Sequence, residues 1–189
     1  TKEPFYVFGF HGPSYFLARA LGCAPVFVTR KNKQSFSSLG LCIDEYTRLR
    51  GVPAVTLELS QRGFNEKADQ LTMLALNRFI QIGRKIFQKT TDLKKCAHKN
   101  SQLSFLVLKH KESFSHPKKY LYDGFENFSY VKKGESLGLH ENNGKLLAAE
   151  SGYLLFPKYP ERDASGASVE PLPGDLFHII AESPAFERK

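Results

Sequence analysis

Apolar residues in the first half of the chain alternate between short strand-like runs and helical periods. Phe5-Tyr6-Val7-Phe8-Gly9-Phe10 reads as a strand. Gly12-Pro13-Ser14 follows as a turn in which Ser14 caps a helix running to about Leu21, and Gly22 ends it. Pro25–Thr29 is the next strand. Beyond the polar stretch Arg30–Gln34, the spacing of Leu39, Ile43, Tyr46 and Leu49 predicts a helix near Ser37–Arg50 with one apolar face. Val52–Leu59 then reads as a buried strand. Asn65 is placed to cap a long amphipathic helix, on which Leu71, Leu74, Ala75, Phe79, Ile82 and Ile86 form a core stripe. Strands separated by helices of this length predict a largely parallel α/β sheet.

The pattern changes after Lys89. Thr90–Gln102 is polar and basic, which sets a domain boundary between residues 1–98 and 99–189. From Leu103 onward, short apolar runs are broken by Gly, Pro and Asn, the signature of an all-β domain. Two segments, Val131-Lys132-Lys133-Gly134-Glu135-Ser136-Leu137 and Val169-Glu170-Pro171-Leu172-Pro173-Gly174-Asp175-Leu176, each read as strand, tight turn, strand. With the hairpin signal Asn142-Asn143-Gly144-Lys145, this part resembles the barrel-sandwich of lipoyl- and biotinyl-carrier domains. Lys145 stands near the position of a carrier's modified lysine, but its flanks do not match, and an unmodified turn lysine is expected.

Composition narrows the class. The 189 residues are 41% hydrophobic and 24% charged, which is ordinary for a globular chain and leaves room for a sizeable core. No apolar run approaches the ~18–20 residues of a membrane helix. The start, Thr1-Lys2-Glu3-Pro4-Phe5, lacks Met and a signal-peptide pattern, so the chain is expected to be cut from something longer. Three cysteines, Cys23, Cys42 and Cys96, lack Cys-x-x-Cys spacing and are expected to be reduced thiols in the cytoplasm, Cys23 and Cys42 in the core. The net charge of +8 suits nucleic acid or a small anionic substrate. Its clusters, Lys94, Lys95, His98 and Lys99, then Lys109, His110, Lys111, Lys118 and Lys119, are expected to be solvated. With no nucleic-acid-binding signature, a nucleic-acid partner is not expected.

One residue stands out chemically. Glu58 places a lone carboxylate inside the apolar run Val55-Thr56-Leu57-Glu58-Leu59, near a strand end. Burying an ionised acid is costly without a partner or a metal, and in open α/β sheets ligands gather beyond the carboxyl ends of strands. General base in a metal-assisted hydrolysis is the sharpest role for such a group. The plain alternative is a strand residue that turns its acid to solvent.

The block Gly51-Val52-Pro53-Ala54-Val55-Thr56-Leu57-Glu58-Leu59-Ser60-Gln61-Arg62-Gly63 resembles the segment around the catalytic glutamate of the succinylglutamate desuccinylase/aspartoacylase family, zinc carboxypeptidase-like hydrolases. Phe16-Leu17-Ala18-Arg19-Ala20-Leu21-Gly22 with Pro25-Val26-Phe27-Val28 is similar to the helix and strand before that block. Val131–Gly138 and Ser151–Pro157 resemble the family's C-terminal β-domain. The resemblance implies the C-terminal part of a zinc carboxypeptidase-like, largely parallel α/β domain, followed by a small all-β barrel-sandwich-like domain. It implies a deacylase that cleaves the amide of an N-acyl amino acid or similar small anionic substrate, with Glu58 as general base. Arg48, ten residues before Glu58, matches the family's arginine in spacing. Arg62 and Tyr159 are further substrate-binding candidates. The family's zinc ligands, a His-x-x-Glu pair and an Asp-Leu-His histidine, have no counterpart here. His11 alone cannot make a three-ligand site, so this chain is expected to hold no metal ligand. Zinc is then expected to be bound by an upstream segment of the same protein, and the chain alone to be inactive. A homo-oligomer is left open. The alternative is a non-catalytic binding or carrier-like module on the same fold.

Overall fold

A computed structural model describes residues 3–8, 12–29, 42–59, 65–98 and 104–182. Those up to Leu106 form one compact unit and those from Val107 a second. The first unit contains β1 (Phe5–Phe8), α1 (Gly12–Leu21), β2 (Val26–Thr29), α2 (Ile43–Leu49), β3 (Thr56–Glu58), α3 (Glu66–Phe87) and α4 (Leu93–His98). Its strands lie in the order β3-β1-β2, followed by the first residues of β4 (Ser104–Ser113). β4 starts beside β2, where the Ser104 amide donates to the Pro25 carbonyl at 3.0 Å.

Among the described strands of this unit, the first connection is a parallel crossover. β1 pairs with β2 in parallel, Tyr6 opposite Phe27, and α1 is the crossover helix. β3 pairs with β1 antiparallel, so the sheet is mixed and not largely parallel. The reason lies in α2. Its apolar residues Ile43, Tyr46 and Leu49 point outward, 84%, 50% and 61% exposed, while Asp44 and Glu45 are buried. The expected apolar face therefore does not pack on the sheet as a crossover helix must. The Glu45 carboxylate instead accepts from the Cys42 amide at 3.1 Å, closing the helix start.

The core of this unit is aromatic. Tyr6, Tyr15, Phe27 and Phe105 meet at ring-centroid distances between 5.4 and 6.3 Å, beside Leu17, Ala18, Leu21 and Ala24. Burying each such side chain contributes about 1.5–3 kcal/mol. Cys23 belongs to this cluster, whereas Cys42 is only half-buried, and all three cysteines are unbridged. Ser14 does not cap α1 as expected. It lies inside the helix, and Gly12-Pro13 start it, Pro being well suited to a first turn.

Asn65 caps α3 as expected. Its backbone is extended (φ −149°) and its Oδ1 accepts from the Ala68 amide at 3.2 Å. The core stripe is narrower than expected. Leu71, Ala75 and Ile82 pack on the aromatic cluster, but Leu74, Phe79 and Ile86 are exposed, along with Met73, Leu76, Ile80 and Phe87. No residue of α3 is fully buried. No helix among the described residues is long and apolar enough to cross a membrane.

Among the described residues, every element of the second unit is a strand. It holds the rest of β4, then β5 (Tyr120–Leu121), β6 (Tyr130–Val131), β7 (Ser136–Leu139), β8 (Lys145–Leu147), β9 (Gly152–Leu155) and β10 (Asp175–Glu182). One sheet runs β4-β10-β9-β6 and another β5-β7-β8. Leu121, Val131, Leu137, Leu146, Leu154, Leu176, Phe177 and Ile179 form the core. Gly138 sits at a bulge in the β7–β8 register, where a Cβ would collide with the Tyr120 carbonyl. The Asn142-Asn143-Gly144 turn is formed, with Asn143 left-handed (φ 58°) and the His140 amide 2.7 Å from the Gly144 carbonyl.

The basic stretch Lys109–Lys119 departs most from expectation. Lys119 is buried, and its ammonium donates to the Glu112 carboxylate and to the Ser113 carbonyl at 2.8 Å. His110 Nε2 meets the other Glu112 oxygen at 2.8 Å. Lys111 pairs with Asp175 at 2.9 Å, and His178 Nε2 approaches the same Asp175 oxygen at 3.5 Å. The cause is the place of β4 next to β10, which half-buries His110, Lys111 and Glu112 beside partners, whereas Lys109 and Lys118 are exposed as expected. Burial works to raise the Glu112 pKa, but hydrogen bonds from Lys119 and His110 outweigh it and hold it low.

Burial pushes the His178 imidazole down to about 4, against the pull of Asp175. Above pH 6.5 or so the ring is neutral in both folded and unfolded chains. Between there and about 4, the unfolded chain takes up a proton that the folded one refuses, so stability falls as pH drops. Urea titrations should show a loss of roughly 2 kcal/mol from about pH 7 to about pH 4.5. His178→Phe should flatten that slope, and an unchanged slope in the variant refutes the assignment.

Candidate functional site

The segment carrying Glu58 is built by a helix stop, a tether and a strand pairing. α2 ends at Gly51, whose φ of 72° is left-handed, and the Val52 amide turns back to the Thr47 carbonyl at 3.1 Å. Pro53 cannot continue a helix and sends the chain out extended. The Ala54 amide then donates to the buried Ser14 hydroxyl on α1 at 3.2 Å. This tether aligns Thr56, Leu57 and Glu58 opposite Val7, Tyr6 and Phe5.

β3 is shorter and more open than the sequence suggests. It spans Thr56–Glu58 at the edge of the sheet, in place of a buried strand over Val52–Leu59, and Val52 is 50% exposed. Leu57 packs into the aromatic core, so strand alternation puts Thr56 and Glu58 on the opposite face. Glu58 is the last residue of the strand and half-buried, with fully buried Phe5 as its cross-strand neighbour. A half-buried carboxylate at a strand end is partly accessible to water.

Arg48 lies on α2, in the same unit as Glu58, and its side chain lies outside the described residues. Arg62 and His11 lie outside them altogether. Tyr159 lies in the second unit, between β9 and β10. Its hydroxyl donates to the Phe125 carbonyl at 2.8 Å, and burial raises its pKa. Among the described residues, no group of three or more His, Cys, Asp and Glu side chains could hold a metal.

Sequence reasoning missed polar contacts within the second unit. Arg162 stacks on Tyr120 at 3.9 Å, and Lys119, which precedes Tyr120, pairs with Glu112, which in turn meets His110. A signal was present, since His110 and Glu112 lie two apart on a strand and therefore share a face.

No protein-family model matches this chain, and no curated protein does. Solved structures do. Succinylglutamate desuccinylase from Vibrio parahaemolyticus matches with a TM-score of 0.61 at 16% identity, over 96% of this chain and 50% of its own. A succinylglutamate desuccinylase/aspartoacylase from Rhodobacter sphaeroides matches with a TM-score of 0.57 at 16% identity, over 96% and 54%. The product-bound ectoine utilization protein from Ruegeria pomeroyi gives 0.56 at 13% identity, over 95% and 53%. The chain thus spans about half the length of the structures it matches. At such identities the likeness is one of fold, and the chain has the fold of succinylglutamate desuccinylase/aspartoacylase structures over that half.

Proposed function

We propose that this chain is the base-bearing part of a zinc-dependent deacylase that cleaves the amide of an N-acyl amino acid or similar small anionic substrate. The observation that carries this reading is the match of nearly the whole chain to half of each solved desuccinylase-type structure. Glu58 would take the proton from an attacking water and return it to the leaving amine. Arg48 and Arg62 would hold the substrate carboxylate, for which a guanidinium fork is well shaped. Tyr159 would contribute its ring, since its hydroxyl is engaged with Phe125.

The described residues do not fit a zinc site, so the metal would be held by ligands in an upstream segment. When bound, zinc lowers the pKa of a water to about 7. The first unit supports the need for such a segment. Among the described residues, β3 is an edge strand, and α2 and α3 carry exposed apolar residues, Ile43, Leu49, Leu76 and Ile80 among them. Surfaces of this kind are normally covered.

In the protein that includes the upstream segment, Glu58→Gln should lower kcat by about 10²–10⁴-fold while bound zinc, measured by elemental analysis, stays at the wild-type level. Retained turnover would falsify the assignment and favour a non-catalytic module on the same fold. Tyr159→Phe should cost about 1 kcal/mol of stability and leave KM near wild type. Tyr159→Ala should raise KM; if it does not, Tyr159 is not a substrate residue.

A further inference from the structure

A cavity lies in the first unit, walled by α1, α3 and α4. Arg78, Gln81 and Lys85, on one side of α3, line a cleft of about 440 Å³ together with Thr90, Thr91 and Cys96. Ala20 and Ile82 supply its apolar surface. The volume falls within the ~300–1,000 Å³ range of small-molecule sites. Its lining is unusual for a surface cleft in that it carries two cations and no carboxylate.

Arg78 is held in place. Its Nη1 donates to the carbonyls of Leu21 and Gly22 at 2.7 and 2.8 Å, which fixes the planar group and leaves the Nε and Nη2 protons without a hydrogen bond to any described residue. Lys85 makes no side-chain ion pair or hydrogen bond among the described residues. The nearest acid in sequence, Asp92, is outside the lining and committed elsewhere: it caps α4 through the Lys95 amide at 2.7 Å and pairs with the Lys95 ammonium at 3.5 Å. A fixed guanidinium and an ammonium facing one cavity without a counter-charge make a well for an anion. Two positive charges match a dianion better than a carboxylate, which one guanidinium would satisfy.

We propose that this cleft binds the phosphate group of a small phosphorylated compound, with Arg78 and Lys85 on the phosphate oxygens and the Gln81 amide as a further donor. The site is separate from Glu58 and depends on none of the chemistry proposed for it.

Cys96 reports occupancy, because it lines the cleft and is half-buried, while half-buried Cys42 does not line it and serves as the internal control. The test is iodoacetamide labelling of the full chain, resolved by residue with mass spectrometry, in inorganic phosphate, acetate or chloride at equal ionic strength. Phosphate should slow labelling of Cys96 several-fold, with half-effect on the order of 1 mM, and leave Cys42 unchanged. Acetate and chloride should do neither. Lys85→Glu, at an exposed helix position, should abolish the protection, and Lys85→Arg should keep it. The proposal is overturned if phosphate does not protect Cys96 in the wild-type chain, if acetate or chloride protects equally, or if protection persists in Lys85→Glu.

Discussion

The first unit turns on one arginine. Arg78 projects from α3 onto the last carbonyls of α1, at 2.7 Å from Leu21 and 2.8 Å from Gly22. A helix leaves its final carbonyls without internal partners, and when packed against a core they need a donor from elsewhere. A cationic donor is stronger than a neutral one, and leaving such groups unsatisfied costs about 1–3 kcal/mol. Next to this contact, the Cys23 amide donates to the Tyr6 hydroxyl at 2.8 Å, and burial holds that phenol well above its ordinary pKa. Strand β1, helix α1 and helix α3 are thus joined at one turn. Leu71, Ala75, Arg78 and Ile82 follow one another at four- and three-residue steps, so the arginine also sets which stripe of α3 meets the core.

That choice of stripe explains what α3 leaves open. With one narrow face on the aromatic cluster, the remaining apolar residues of the helix stay in water. α2 does the same with Ile43, Tyr46 and Leu49, and β3 is an edge strand among the described residues. These features have one thing in common: each is apolar or strand surface left exposed among the described residues. They agree with a fold that matches half of longer chains. They also bear on Glu58, whose half-burial here reflects an edge strand.

Much of the organisation was legible in the sequence. Asn65 as a helix cap, Gly22 as a helix stop and the Asn142-Asn143-Gly144 turn all follow from local stereochemistry, which acts within a few residues. The all-β character of the second unit follows from its broken apolar runs. The Thr56-Leu57-Glu58 block and its flanks pointed to the fold that the solved structures share. Burial was less legible. Ile43, Tyr46 and Leu49 share one face of α2 as expected (Leu39 lies outside the described residues), yet that face points to solvent while Asp44 and Glu45 are buried. Lysines read as a wet surface include Lys119, sealed against Glu112 and Ser113.

The sequence by itself determined the type and order of the elements in the first unit up to α3 and some of their ends, the Asn65 cap and the Gly22 stop among them, because those depend on backbone preferences and short-range periodicity. Only the tertiary structure decided which faces are covered, how the strands pair and which charges meet. β3 runs antiparallel at an edge because α2 does not pack as a crossover helix. Lys111 is half-buried beside Asp175 because β10, far along the chain, is brought next to β4. Such outcomes rest on contacts between residues far apart along the chain, and local pattern carries no record of them.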